Sequence, residues 1–246
     1  MEVSVNNEET VLLEDLVVSA ANFDIEKIRK GAILLFNKPE EWSSFKLVKK
    51  VKFLSKAARV GHAGTLDPLA TGLLVVCTGK CTKIIESIQD MPKVYTGTFN
   101  FGKTTPSFDL ETEFDAEYPY EHITPADIER ALQHFTGTIA QTPPVYSAIK
   151  IDGTRAYKFA RKGVEVEMKS RPVNIYEFNA GGQMPNISFR VRCSKGTYIR
   201  TLAHDFGQFL NSGCYLTDLK RTAIGEFNLS NAFDITEFQE LCGFKI

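Results

Sequence analysis

The sequence predicts an α+β protein whose central sheet is mixed and mostly antiparallel, flanked by helices and loops. Three observations carry this expectation. Apolar runs of strand length and helical stripes both occur, but without the regular strand–helix alternation of a parallel sheet. Residues 187–193, ISFRVRC, alternate cleanly, with Ile187, Phe189, Val191 and Cys193 facing inward and Arg190 and Arg192 outward, as in a strand with one buried face. The 246 residues are 43% apolar and 24% charged, an ordinary globular balance that can fill a core.

Taken in order, residues 1–30 lack strong periodicity beyond an apolar stretch at 11–21, and are expected to be an N-terminal appendage, part helix and part disordered. The main body then runs over 31–246. Residues 31–36 form a short buried strand, and Ser44 opens a helix whose apolar Phe45, Val48, Val51 and Phe53 alternate with five lysines. Strands are expected at 73–77 and 94–101, with helical character at 82–87 between them. The acidic stretch 109–122 reads as a surface loop. Thr124 and Pro125 start a helix with the stripe Ile128, Ala131, Leu132, Phe135, ended by Gly137. Asp152-Gly153 marks a tight turn, residues 154–162 a short basic helix, and 164–168 and 173–178 two strands. A helix over 198–210 turns Ile199, Leu202, Phe206 and Phe209 inward.

Several function classes are disfavoured. The apolar run LLVVC at 73–77 is far too short to span a bilayer, and the acidic N-terminus has no basic start followed by an apolar segment, so neither a membrane nor a secretory route is expected. The five cysteines form no C-x-x-C pair and read as buried thiols of a reducing cytoplasm. The net charge of −1 hides a strong asymmetry: residues 1–30 hold seven acids against three bases, and 109–129 hold eight acids and no base. The remainder carries 26 bases and 15 acids, a basic body compatible with phosphate binding.

The densest chemical signal is GHAGTLDPLATGLLVVCTGKCTK at 61–83. Asp67 within it could be a helix cap followed by Pro68, or a reactive carboxylate. The glycines fit neither a dinucleotide fingerprint nor a phosphate loop. Taken singly, Tyr95 would be a core residue, Arg200 a surface charge on an amphipathic helix, and His62 a loop histidine.

The run at 61–83 resembles the signature of the TruB family of tRNA pseudouridine synthases. Further segments resemble that family in the same order: NKP at 37–39 with WSSF at 42–45, KVY at 93–95, QTPPVYSAIK at 141–150 with GTRAYKFARKG at 153–163, RCSKGTYIRTL at 192–202 and LKRT at 219–222. The resemblance covers residues 31–230 or so and implies a pseudouridine synthase fold with an RNA-gripping thumb loop at about 142–163. It also implies isomerisation of uridine-55 in the T-loop of tRNA. Matched position by position, it gives Asp67 the catalytic carboxylate, Tyr95 the active-site tyrosine, Arg200 the arginine that pairs with the aspartate, His62 the ring that enters the T-loop, and Leu219 an apolar wall of the uracil pocket. Lys38 falls in its first motif. Arg155, Lys158, Arg161 and Lys162 fall in its thumb and would contact the tRNA T-arm.

The chemistry asks for these residue types. A stacked uracil must leave the loop before it can be rearranged. A tyrosine can stack on the extruded base, and a flat histidine can fill the gap. The carboxylate must be anionic to attack C1′ or C6, and a guanidinium holds it so. No redox change or hydrolysis occurs, so no metal or organic cofactor is expected, and a monomer is expected. Departures are present: the family usually carries glycine where Glu41 stands, and TTPSFD at 104–109 is assigned no role. Many relatives continue into a small RNA-binding domain, and an end at Ile246 predicts weaker tRNA binding. A competing reading is a tRNA-binding or folding module on the same fold, which would not need Asp67. A guide-RNA-dependent synthase is disfavoured.

Overall fold

The computed structural model describes residues 2–6, 9–147, 149–151, 153–160, 164 and 166–245. The chain divides into two compact units, Met1–Tyr95 with Lys220–Ile246, and Thr96–Leu219. It passes from the first to the second along the strand Lys93–Phe101 and returns along Cys214–Ile224.

In the first unit the strand Thr71–Thr78 is central. Ile33–Lys38 runs antiparallel along it, in register from Ile33 opposite Cys77 to Lys38 opposite Gly72. Val60–His62 pairs antiparallel with it, and Lys220 and Arg221 pair in parallel with Thr71 and Gly72. The two long strands are apolar at nearly every position because both faces are covered. Ile33, Leu35, Leu73, Val75 and Cys77 join one core cluster, and Leu34, Phe36, Leu74 and Val76 join another. The helix Ser44–Ser55 packs Leu47, Val48, Val51 and Leu54 into the second cluster, and Ser43 caps its N-terminus by accepting from the Lys46 amide at 3.1 Å.

The first thirty residues take part in this core, where an appendage was expected. Leu13 and Leu16 lie in one cluster and Val18 and Ile28 in the other, and Val17–Val18 extends the sheet beside Ile33 and Leu34. These apolar residues come in twos and threes, too few for a periodic signal, yet each meets a strand already shaped to receive it.

In the second unit Gly137–Gln141, Arg171–Gln183 and Asn186–Cys193 form an antiparallel sheet. Phe99, Phe135, Phe178, Phe189 and Phe206 meet ring to ring within it, with Phe99 stacked on Phe189 at 4.2 Å. Thr124 caps the helix Pro125–His134 in a reciprocal box with Asp127. Ile187, Phe189, Val191 and Cys193 are all buried, as the alternation predicts.

Other expectations are corrected here. The described residues of 164–168 form no strand. Thr154–Arg155 is a strand against Lys150–Ile151, so the expected helix over 154–162 does not begin at Thr154, and its described part is Ala156–Ala160. Arg161 and Lys162 lie outside the described residues. Phe209 is 39% exposed, at the edge of the core, with its ring against His134 and Phe135. Within the acidic stretch Asp109 is buried, which no surface loop requires.

Candidate active site

Asp67 lies in a turn, half-buried, with its carbonyl accepting from the Ala70 amide at 3.2 Å. The next element is the strand Thr71–Thr78, so Asp67 caps no helix. Almost every neighbour is fixed from outside the turn. The Ala63 amide donates to the Val75 carbonyl at 2.9 Å. Ser44 Oγ accepts from the Leu66 amide at 2.9 Å and donates to the Leu66 carbonyl at 3.1 Å. Arg221 donates from Nη2 to the Gly64 carbonyl at 3.0 Å, from Nη1 to Thr65 at 3.4 Å and from Nε to Leu73 at 2.8 Å. Lys38 Nζ donates to the Pro68 carbonyl at 3.1 Å, to Pro39 at 2.8 Å and to Trp42 at 2.6 Å.

The sheet register explains how two cations reach one turn. Gly72 lies opposite Lys38 on one side and Arg221 on the other. Cross-strand partners point to the same face, so Lys38 and Arg221 flank a position with no side chain. Gly72 has φ 96°, and a Cβ there would stand 2.3 Å from the Arg221 carbonyl oxygen. Glycine is therefore required. Lys38 is 0% exposed and Arg221 1%. Burial pulls the Lys38 ammonium down to about 8, against the pull of the nearby Asp67 and Glu40 carboxylates, and Arg221 adds to the lowering. At pH 7 the ammonium keeps its charge beside Asp67, and its three hydrogen bonds all end inside the protein. Glu41, two residues beyond Pro39, holds φ 62°, so the turn adopts a glycine-like conformation without glycine, at a strain of about 1 kcal/mol.

His62 ends the strand Val60–His62. Burial and the Arg221 cation lower its pKa below the usual histidine value, so its ring is neutral at pH 7. Tyr95 is buried in the alternating strand Lys93–Phe101. Lys38, His62, Asp67 and Tyr95 all belong to the first unit.

The other predicted residues belong to the second unit. Arg200, 3% exposed, is no surface charge. It donates from Nη1 to the Ser107 carbonyl at 3.0 Å and from Nη2 to Tyr146 at 2.7 Å, and its Nε lies 3.6 Å from the Asp109 carboxylate. Asp109 is fixed in turn, with Oδ1 accepting from the Glu111 amide at 3.0 Å and its carbonyl accepting from Thr105 Oγ1 at 2.7 Å. Phe108, just before it, has φ 63°. Leu219 is half-buried, and Arg155 and Lys158 are exposed.

Ser44, Asp109 and Arg221 were missed as site residues. Arg221 carried one usable sign: it falls on the inward side of a strand, where an arginine is out of place without partners. Asp109 lay in the TTPSFD segment, to which no role was assigned.

Comparison with known proteins bears on these arrangements. Residues 50–199 match the family described as TruB family pseudouridylate synthase (N terminal domain). A Flavobacterium johnsoniae protein named tRNA pseudouridine synthase B is 52% identical over 223 residues, spanning 87% of this chain and 97% of that protein. This chain belongs to the TruB family of pseudouridylate synthases. A second relative of the same name, from Phocaeicola vulgatus, is 51% identical over 86% of this chain and 93% of its own length. As a TruB-family member the chain is a pseudouridine synthase, an isomerase. Its α+β fold is that of pseudouridine synthases: a chain in the crystal structure of a Cbf5-Nop10-Gar1 complex superposes with a TM-score of 0.65 at 24% identity, over 89% of this chain and 57% of that one. Among the described residues no helix is long and apolar enough to cross a membrane.

Proposed function

We propose that this TruB-family enzyme converts uridine to pseudouridine in tRNA, at position 55 of the T-loop, with Asp67 as nucleophile. The observation that carries the reading is the turn at 64–70, where four hydrogen bonds donated by Lys38, Ser44 and Arg221 to the carbonyls of Gly64, Thr65, Leu66 and Pro68 surround one carboxylate. A turn tied so densely holds its carboxylate in one place, which nucleophilic attack on a single carbon requires. The names of relatives sharing about half their residues with this chain supply the substrate class.

The reaction is a rearrangement. The N1–C1′ bond breaks, the uracil turns while held in the site, C5 bonds to C1′ and gives up its hydrogen, and N1 takes a proton. Asp67 attacks either C1′ or C6, the N1–C1′ bond breaks to free the base from the ribose, and the bond to Asp67 breaks again once C5 is joined to C1′. Tyr95 is proposed to stack on the extruded uracil, Leu219 to wall its pocket, and Arg200 to supply the guanidinium the reaction needs. His62, flat and uncharged, is suited to enter the gap that the departing base leaves. Arg155, Lys158, Arg161 and Lys162 are assigned to phosphates of the T-arm. Lys38 is assigned to RNA indirectly, through the turn it holds.

Loss of C5 hydrogen gives the test. Asp67→Asn should bind a T-arm hairpin with near-native affinity and release tritium from [5-³H]uridine at least about 10³-fold more slowly. Undiminished release would show that the carboxylate is not the nucleophile. A T-loop in which uridine-55 alone fails to convert would overturn the positional assignment.

A further inference from the structure

The second unit contains a cavity of about 580 Å³ between Pro143, Val145, Met168 and the helix Ile199–Phe209, lined by none of the residues assigned above. Three helix side chains line it, Thr201, His204 and Asp205, and their spacing puts them on one face. Thr201 has a partner, donating to the Thr142 carbonyl at 3.3 Å. The other two stand differently. The His204 ring stacks on Phe108 with centroids 4.1 Å apart, and its Nδ1 is buried with no hydrogen-bond partner among the described residues. Asp205 faces the cavity, and no hydrogen bond or ion pair is found for it among the described residues. Burial alone lifts its carboxyl to about 6, so at pH 7 it is mainly an anion that can only accept hydrogen bonds.

We infer that this cavity is a second nucleobase pocket, which takes a base bearing an exocyclic amino group from the same RNA and holds that amino group on Asp205. The inference rests on the reading of the protein as an RNA-modifying enzyme. A half-buried carboxylate without a donor is unfavourable unless a ligand brings one. A phosphate cannot be that ligand, since Asp205 would repel it; a ribose hydroxyl and a base amino group can both donate, and the apolar walls favour the base. The walls fit a base: Pro143, Val145 and Met168 offer apolar surface to a flat ring, and the volume lies within the ordinary range of ligand pockets. Cytosine, guanine and adenine each carry an amino group that donates to a carboxylate. Uracil carries only N3–H between two carbonyl oxygens, which Asp205 would oppose. The pocket therefore differs in preference from a site that accepts uracil.

The test uses T-arm hairpins in which each amino-bearing loop base is replaced in turn by its counterpart lacking the amino group: inosine for guanosine, purine riboside for adenosine, zebularine for cytidine. Tritium release gives kcat and KM, and fluorescence anisotropy gives binding. With the native protein, one position should show a KM and a Kd about tenfold higher on losing its amino group, with kcat unchanged. Asp205→Ala should show the same tenfold weakening on the parent hairpin and no further penalty at that position. Asp205→Leu, close to aspartate in shape but with no acceptor, serves if the alanine variant does not fold, and should also lose the penalty. Equal penalties in native and variant proteins at every position, or no penalty anywhere, would overturn the pocket. Failure of the native protein to release tritium from the parent hairpin would instead strike the proposed function, and the binding panel would still decide the pocket.

Discussion

The turn around Asp67 and the segment from 142 to 168 are held in different ways. The first is tied by side chains from far along the chain: Lys38 and Ser44 from one direction, Arg221 from the other. The second is tied largely by its own backbone among the described residues, with the Ala156 amide on the Ile149 carbonyl at 2.7 Å and the Tyr157 amide on Ser147 at 3.1 Å. Two of its ties from elsewhere come from one helix, through Arg200 to Tyr146 and Thr201 to Thr142. Placement of a reacting carboxylate tolerates little error, and ties from several directions remove most of it. The phosphate contacts proposed for the second tolerate far more error, and exposed arginine and lysine side chains on a locally built segment would suffice for them.

This contrast can be broken by cutting ties in each region. The largest effect is expected from Arg221→Met, which leaves three carbonyls without a donor. Stability should fall by about 3 kcal/mol and Tm by roughly 6–12 °C. In tritium-release kinetics on folded protein, kcat should drop at least about tenfold, more than KM rises. An unchanged kcat would mean that the turn keeps its shape without the guanidinium.

Lys38→Met should show its effect in pH dependence. Lysine titrates near 10.5 when unfolded and Lys38 at about 8 when folded. Between those values the unfolded chain keeps a proton that the folded protein has lost, so stability rises with pH through this window. Denaturant melts should show the native protein gaining up to about 3 kcal/mol relative to Lys38→Met from pH 8 to 10.5. A constant difference would show that the ammonium is not held in a disfavoured charged form.

The smallest effect should come from the segment proposed as the thumb. Arg155→Ala with Lys158→Ala should leave Tm and kcat unchanged, raise KM by about threefold to tenfold, and flatten the salt dependence of hairpin binding by roughly 0.9 for each phosphate no longer neutralised. A fall in Tm matching that of Arg221→Met would erase the distinction between the regions.

Much of this was legible in the chain. The ISFRVRC alternation placed a strand and both its faces, and Thr124-Pro125 placed a helix start, because such signals depend on residues a few positions apart. Asp67 was legible through the unusual run around it. Its supports were not. Arg221 donates to carbonyls about 150 residues earlier, and a carbonyl has no letter in the sequence. Asp109 sat in a stretch so acidic that one buried member looked like its exposed neighbours. Residues 164–168 offered the apolar letters of a strand, but a strand needs a partner edge, which local pattern does not report.

The bonds from Arg221 also carry a message about time. On a chain made from its N-terminus, residues 64–73 emerge long before residue 221, and until then the carbonyls of Gly64, Thr65 and Leu73 lack the donor that finally closes over them. The parallel pairing of Lys220 and Arg221 with Thr71 and Gly72 arrives equally late. Loop closure over so many residues is slow, so completion of the turn belongs near the end of folding. A nascent chain halted after the second unit would carry Asp67 yet lack its clasp, so the turn closes only once residue 221 has been made.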